Sequence, residues 1–253
     1  KKLEAVNAQY AEALAFLQKV YQQQLQQAAA EDERELAPNT IFAVDIADSV
    51  KSGHVQGPAD AGVTIVWAFD LADPYSARMQ GPIDELLSEH KGKVRVVYKH
   101  MIVHPAVAVP VHHAACAAAK QGKFPAFFKA WWANGYEAYK TQRDADAFSQ
   151  QRILDVAKGA GLDTKRLEAD MNGAECKKRV EADMAELEKF KVNATPTFFI
   201  NGYVSSGAEP KATFAEKVDH AIEAVAKSGV PAAKYYANVV MKGEKQFRSK
   251  AAK

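Results

Sequence analysis

Apolar residues along this chain follow two periods, and the switches between them lay out its elements. Over residues 3–30, Leu3, Val6, Tyr10, Ala13, Leu17 and Val20 recur at alternating steps of three and four, the spacing of one amphipathic helix. The stripe fits a coiled-coil arm that pairs with a second copy, giving a homodimer, and equally a helix folded back on its own domain. Residues 31–60 are acidic and then broken by Pro, Gly and Asp, which predicts a linker. Val63–Phe69 (VTIVWAF) is continuous and β-branched, as in a strand buried on both faces. A helical pattern over 76–90 leads to a second strand at 93–99. A strand–helix–strand unit of this length implies parallel strands and a right-handed crossover.

From Pro110 the pattern is helical, with segments at 111–121, 124–140, 145–158, 164–171 and 175–190. Strand signals return at Thr197–Ile200, and Asn201-Gly202 makes a hairpin turn into Tyr203–Ser206. Helices at 211–228 and 232–242 and a basic tail complete the chain. The order β-α-β, helices, β-β-α describes an α/β domain interrupted by an all-helical insertion and preceded by a long N-terminal helix. The α/β domain occupies 61–104 and 191–230, the insertion 105–190, and the C-terminal helix with its tail 231–253.

Composition narrows the function. At 48% hydrophobic and 25% charged, the 253 residues have a globular balance. Lys and Arg number 33 against 31 Asp and Glu, too even for a dedicated nucleic-acid binder. No apolar run approaches the ~18 residues of a membrane span. The chain begins at Lys1 without an apolar leader, as expected of an exported protein after signal removal or of a trimmed chain. Cys116 and Cys176 are too few for a disulfide scaffold and lack zinc spacing, but are compatible with one bridge.

Several residue groups invite a chemical reading. His100, His104, His112 and His113 cluster, yet no carboxylate or thiolate converges with them in sequence, so no metal and no other cofactor is expected. Asp70 and Asp73 resemble an acid–base pair, but nothing nearby marks a nucleophile or oxyanion hole, and Ser76 has no partner base. Phe124, Phe127, Phe128, Trp131, Trp132 and Tyr136 follow helical spacing and are expected to form the insertion's own core. Adjacent Trp131 and Trp132 cannot both face inward on one regular helix, so one of them should be exposed.

Three motifs carry a family resemblance. Gly57-Pro58-Ala59-Asp60-Ala61 leads into the first strand, Asp73-Pro74-Tyr75-Ser76 stands at the strand-to-helix turn, and Ala194-Thr195-Pro196-Thr197-Phe198-Phe199-Ile200-Asn201-Gly202 follows the insertion. With Gln121-Gly122-Lys123-Phe124, they make residues 40–230 resemble the DsbA-like branch of the thioredoxin superfamily of thiol–disulfide oxidoreductases. The resemblance implies a thioredoxin fold, a periplasmic or otherwise exported location, and a cis Thr195–Pro196 bond whose loop pairs with an extended peptide. It also favours a Cys116–Cys176 bridge, because related insertions carry cysteines at similar places.

The turn departs from that family, whose motif there is Cys-Pro-Tyr-Cys. Asp73 and Ser76 cannot form or exchange a disulfide. Trp67 stands where the family often has an acidic residue. Asp73 suits a helix N-cap and Pro74 the first helical position, a cap worth roughly 0.5–2 kcal/mol. The resemblance therefore implies a non-catalytic peptide- or protein-binding, chaperone-like module, with Tyr75, Thr195 and Pro196 touching the partner. The alternative is a thiol–disulfide oxidoreductase or isomerase, or a glutathione-dependent enzyme, with a non-standard site.

Overall fold

The computed structural model describes residues 10, 14, 17–24, 40–142 and 145–247. They fall in two units, Lys1–Asn39 with Arg248–Lys253, and Thr40–Phe247. In the first unit Tyr10, Leu14 and residues 17–24 are helical, as their spacing predicts. The remainder of 3–30, the linker segment 31–39 and the tail segment 248–253 lie outside the described residues.

The second unit is built on a five-stranded sheet whose strands lie in the order β1 (Val55–Gln56), β3 (Val94–His100), β2 (Val63–Phe69), β4 (Thr197–Ile200), β5 (Tyr203–Ser206). Strands β2 (Val63–Phe69) and β3 (Val94–His100) run parallel, with Val66 opposite Val97. Helix α2 (Pro74–Glu89) joins them, as the strand–helix–strand pattern requires. β4 (Thr197–Ile200) is antiparallel to β2 and continues into β5 (Tyr203–Ser206). Asn201 and Gly202 both take positive φ at the hairpin turn, and a Cβ on Gly202 would stand 2.8 Å from the Phe42 carbonyl oxygen. Asn201 also ties the turn to β2: its Oδ1 accepts from the Thr64 N–H at 2.8 Å.

Residues 40–60 hold more structure than their composition predicts. Helix α1 (Ala47–Lys51) and edge strand β1 (Val55–Gln56) lie here, β1 antiparallel to β3. Phe42, Ala43, Val44 and Ile46 are buried, with the Phe42 ring edge-on to Phe190 and Phe199. The short apolar run Ile41–Val44 with Ile46 suffices to anchor the segment, yet it is too short to give a period. The start of the basic tail is also held. Glu244 N–H donates to the Ile41 carbonyl and its own carbonyl accepts from Ala43 N–H, each at 2.8 Å.

The insertion centres on α3 (Pro105–Lys120), which contacts α4 (Phe124–Ala130), α7 (Thr164–Met171) and α8 (Ala174–Glu188). Between α4 and α7 lie α5 (Glu137–Gln142), a 3₁₀ turn (Ala145–Phe148) and α6 (Gln150–Gly159). Helix α3 begins at Pro105, six residues before the helical segment expected from the sequence. A Cys116–Cys176 disulfide links α3 to α8. Its 60-residue separation corresponds to about 4 kcal/mol by chain entropy. Helices α9 (Lys211–Lys227) and α10 (Ala232–Asn238) pack against β2.

The aromatic residues correct two expectations. Phe124 and Phe128 do not stay within the insertion. They pack on Trp67, Phe69 and Tyr98 of the sheet at ring distances of 4.9–6.2 Å, so sheet and insertion share one core. Trp131 and Trp132 are both buried. Residues Trp131–Tyr136 form a π-helical turn, whose wider winding breaks the 3.6-residue geometry on which the exclusion of one Trp rested. Trp131 Nε1–H donates to the Leu71 carbonyl at 2.9 Å, while Trp132 packs on Phe128 and Tyr136. Gly135 admits the Trp131 ring: a Cβ there would lie 2.4 Å from it.

Candidate functional site

The turn after β2 brings the predicted residues together. Asp73 is the N-cap of α2 in extended conformation and Pro74 opens the helix. Asp73 Oδ1 accepts from Tyr75 N–H at 3.0 Å. Its Oδ2 accepts from Ser76 N–H at 2.9 Å, Ser76 Oγ–H at 2.8 Å and Thr195 Oγ1–H at 2.9 Å. One buried carboxylate thus fixes the helix start and links it to the loop containing Thr195, a contact that sequence spacing does not reveal. Ser76 is fully buried and its hydroxyl is committed to Asp73.

Tyr75 is the outward member of the turn, 53% exposed, with the Arg78 guanidinium 4.7 Å from its ring centre. Across from it the Thr195–Pro196 bond is cis and Pro196 is buried. The Pro196 carbonyl accepts from Gly207 N–H at 2.8 Å. Thr195 is partly buried, and its own main-chain N–H and C=O make no hydrogen bond among the described residues. An aromatic ring and free main-chain groups therefore border the same turn. Both cysteines lie elsewhere, in the insertion's disulfide.

Asp70 does not pair with Asp73 as an acid–base couple. Its carboxylate accepts from the N–H groups of Ala72, Val103 and His104 at 2.8–2.9 Å and contacts His104 Nδ1 at 3.0 Å. His112 Nε2 lies 3.3 Å from Asp70 and 3.0 Å from the Leu71 nitrogen, and its Nδ1 lies 2.9 Å from His100 Nδ1. His54 stacks edge-on against His100, so a row of buried imidazoles runs inward from Asp70. Burial lowers the His54 pKa to about 3, with Arg179 and Lys99 adding to the shift, and lowers that of His100 well below normal. Burial alone would raise the Asp70 pKa, but the hydrogen bond and charge of His112 and the amides of Ala72 and Val103 bring it well below the carboxylate range. Sequence reading named His100 and His112 without seeing that they touch, and passed over His54 because it sits in the polar segment before β2. Among the described residues, no three His, Cys, Asp or Glu side chains are arranged to hold a metal ion.

The sheet with its helical insertion has the architecture of thiol–disulfide oxidoreductases. A thioredoxin-like oxidoreductase from Silicibacter pomeroyi DSS-3 superposes with a TM-score of 0.58 at 27% identity, covering 67% of this chain and 91% of that one. Oxidised BdbD from Bacillus subtilis gives 0.58 at 19% identity, covering 73% and 100%. A family model described as Thioredoxin matches residues 48–220, and the chain belongs to that family. The Na(+)/H(+) antiporter NhaA of Herminiimonas arsenicoxydans is 32% identical over 149 residues, 59% of this chain and 22% of that one. The chain spans less than a quarter of the length of the curated relatives it matches. No helix among the described residues is long and apolar enough to cross a membrane.

Proposed function

We propose that this chain is a DsbA-like member of the thioredoxin family whose turn no longer performs thiol chemistry and instead binds an extended peptide or unfolded protein beside the Thr195–Pro196 loop. The observation that carries the reading is the state of the turn: Asp73 takes the capping position, accepts four hydrogen bonds, and leaves no thiol within the site. A peptide strand can pair with the free main-chain groups of Thr195 while its side chains meet Tyr75; such capture needs no cysteine. The Cys116–Cys176 disulfide supports an exported, periplasmic setting, since such bonds persist in oxidising compartments. The first unit supports pairing of two copies. Tyr10, Leu14, Leu17 and Tyr21, spaced by four, three and four, are each at least 60% exposed on helical backbone, and a second copy would cover them.

Insulin reduction and oxidation of a reduced protein test the reading, with Asp73→Cys/Ser76→Cys alongside. The native chain is expected to be inert and the double variant active. In parallel, Tyr75→Ala should weaken binding of an unfolded polypeptide by roughly tenfold, as loss of an aromatic anchor does. Turnover by the native chain, or binding untouched by Tyr75→Ala, would overturn the proposal.

A further inference from the structure

Sheet order decides which side chains a peptide at the turn would meet. Strand β2 lies between β3 and β4, parallel to the first and antiparallel to the second. The C-terminal end of β3 and the N-terminal end of β4 therefore flank the turn, with segment 101–109 on one side of residues 70–80 and segment 189–197 on the other. Direct contacts hold both there: the N–H groups of Val103 and His104 donate to Asp70, and the Thr195 hydroxyl donates to Asp73.

Charge in these three segments is divided by depth. The two acids, Asp70 and Asp73, are buried, and their oxygens are taken up by the protein's own donors. The exposed basic side chains are Arg78, His104, Lys189 and Lys191, and the same segments carry no exposed acid. Lys189 is paired with Glu186. Glu209, two residues beyond the Gly207 that pairs with Pro196, is held by Lys217 and Ser205. A basic side chain on a bound peptide would thus find no free carboxylate in these segments, whereas an acidic one would find cations.

Arg78 is the cation placed at the binding surface itself. Its guanidinium carbon lies over the exposed Tyr75 ring, 4.7 Å from the centre, and the side chain makes no hydrogen bond or ion pair among the described residues. Stacking uses the flat face of a guanidinium and leaves the N–H donors along its edge, whose fork matches the two oxygens of a carboxylate. It also holds a long side chain in place before a partner arrives, which reduces the ordering cost that makes most exposed ion pairs weak.

Building on the peptide-binding reading of the turn, we infer that the extended chain bound there is acidic: an Asp or Glu of the client sets its carboxylate on the N–H edge of Arg78, and a neighbouring residue covers the Tyr75 ring. A neutral peptide can still pair with the main chain of Thr195 but lacks the ionic contact, and a basic one meets like charge at Arg78.

Short extended peptides, identical except for Glu, Gln or Lys at alternate positions, test this by isothermal titration calorimetry with the intact chain. The Glu peptide is expected to bind roughly fivefold tighter than the Gln peptide, the upper range for an exposed ion pair, and the Lys peptide more weakly than either. Arg78→Gln should bring the Glu and Gln peptides to equal affinity, while Arg78→Lys should keep part of the preference because it retains the charge without the fork. Equal binding of the Glu and Gln peptides by the native chain, tightest binding of the Lys peptide, or an acidic preference that survives Arg78→Gln would each overturn the inference. Tyr75→Ala separates the two levels. Glu and Gln peptides that bind the native chain alike and are both weakened by Tyr75→Ala would leave peptide binding standing without the charge selection, whereas failure of all three peptides to bind would overturn both.

Discussion

Asp70 and Asp73 are both buried carboxylates at the same end of β2, three residues apart, yet they belong to different parts of the molecule. Asp73 looks outward: its partners are the first turn of α2 and the hydroxyl of Thr195, and its neighbour Tyr75 stands in solvent. Asp70 looks inward: it gathers the amides of the loop leading to α3 and two imidazoles, one of them fully buried. Residue type and depth do not set the role of a carboxylate; its donors do. Main-chain and hydroxyl donors make Asp73 a fastener, while imidazoles tie Asp70 to groups that can change charge.

Removing each carboxylate should break this comparison unequally. Asp70→Ala strands the N–H groups of Ala72, Val103 and His104 and a buried imidazole, and should cost roughly 3–5 kcal/mol in urea unfolding. A loss below ~1 kcal/mol would show that the loop finds other acceptors.

Acid should distinguish the two sides without mutation. The folded-state pKa values of His54 and His100 are depressed, so the unfolded chain binds more protons than the folded one between the ordinary histidine value and the folded value. Stability is therefore full above about pH 6.5 and declines as the pH falls toward 3. His54 alone accounts for on the order of 3 kcal/mol between pH 7 and pH 4. Asp70 acts in the same direction only below the ordinary carboxylate range, because its pKa is lowered too. His54→Phe should flatten the decline; urea midpoints at pH 7 and pH 4 read the difference.

The smallest effect belongs to Asp73 itself. Asp73→Ala removes a helix cap and a link to Thr195, for about 1–2 kcal/mol. Asp73→Asn should recover much of that loss, since an amide oxygen also caps.

Much of this was legible in the residues. Val63–Phe69 reads as a buried strand because β-branched and aromatic residues run without a polar break, and Asn201-Gly202 as a hairpin because both positions accept positive φ. The Asp73 cap was legible for the same local reason. What escaped is non-local. His54 and His100 are 46 positions apart and meet only when β1 pairs with β3. Thr195 reaches Asp73 across 122 positions. Trp131 and Trp132 failed differently, because a π-helical turn has no period that an α-helical template can register.

The aromatic wall of Trp67, Phe69 and Tyr98 bears on how such a protein can change over time. Because Phe124 and Phe128 cover that wall, the insertion is not an ornament that can be trimmed away or exchanged freely. Deleting it would bare a sticky indole and phenyl surface at the heart of the sheet and invite aggregation. Any drift in the insertion's sequence is held to account by the strands beneath, whereas Tyr75, outside that wall and exposed, is under no such constraint.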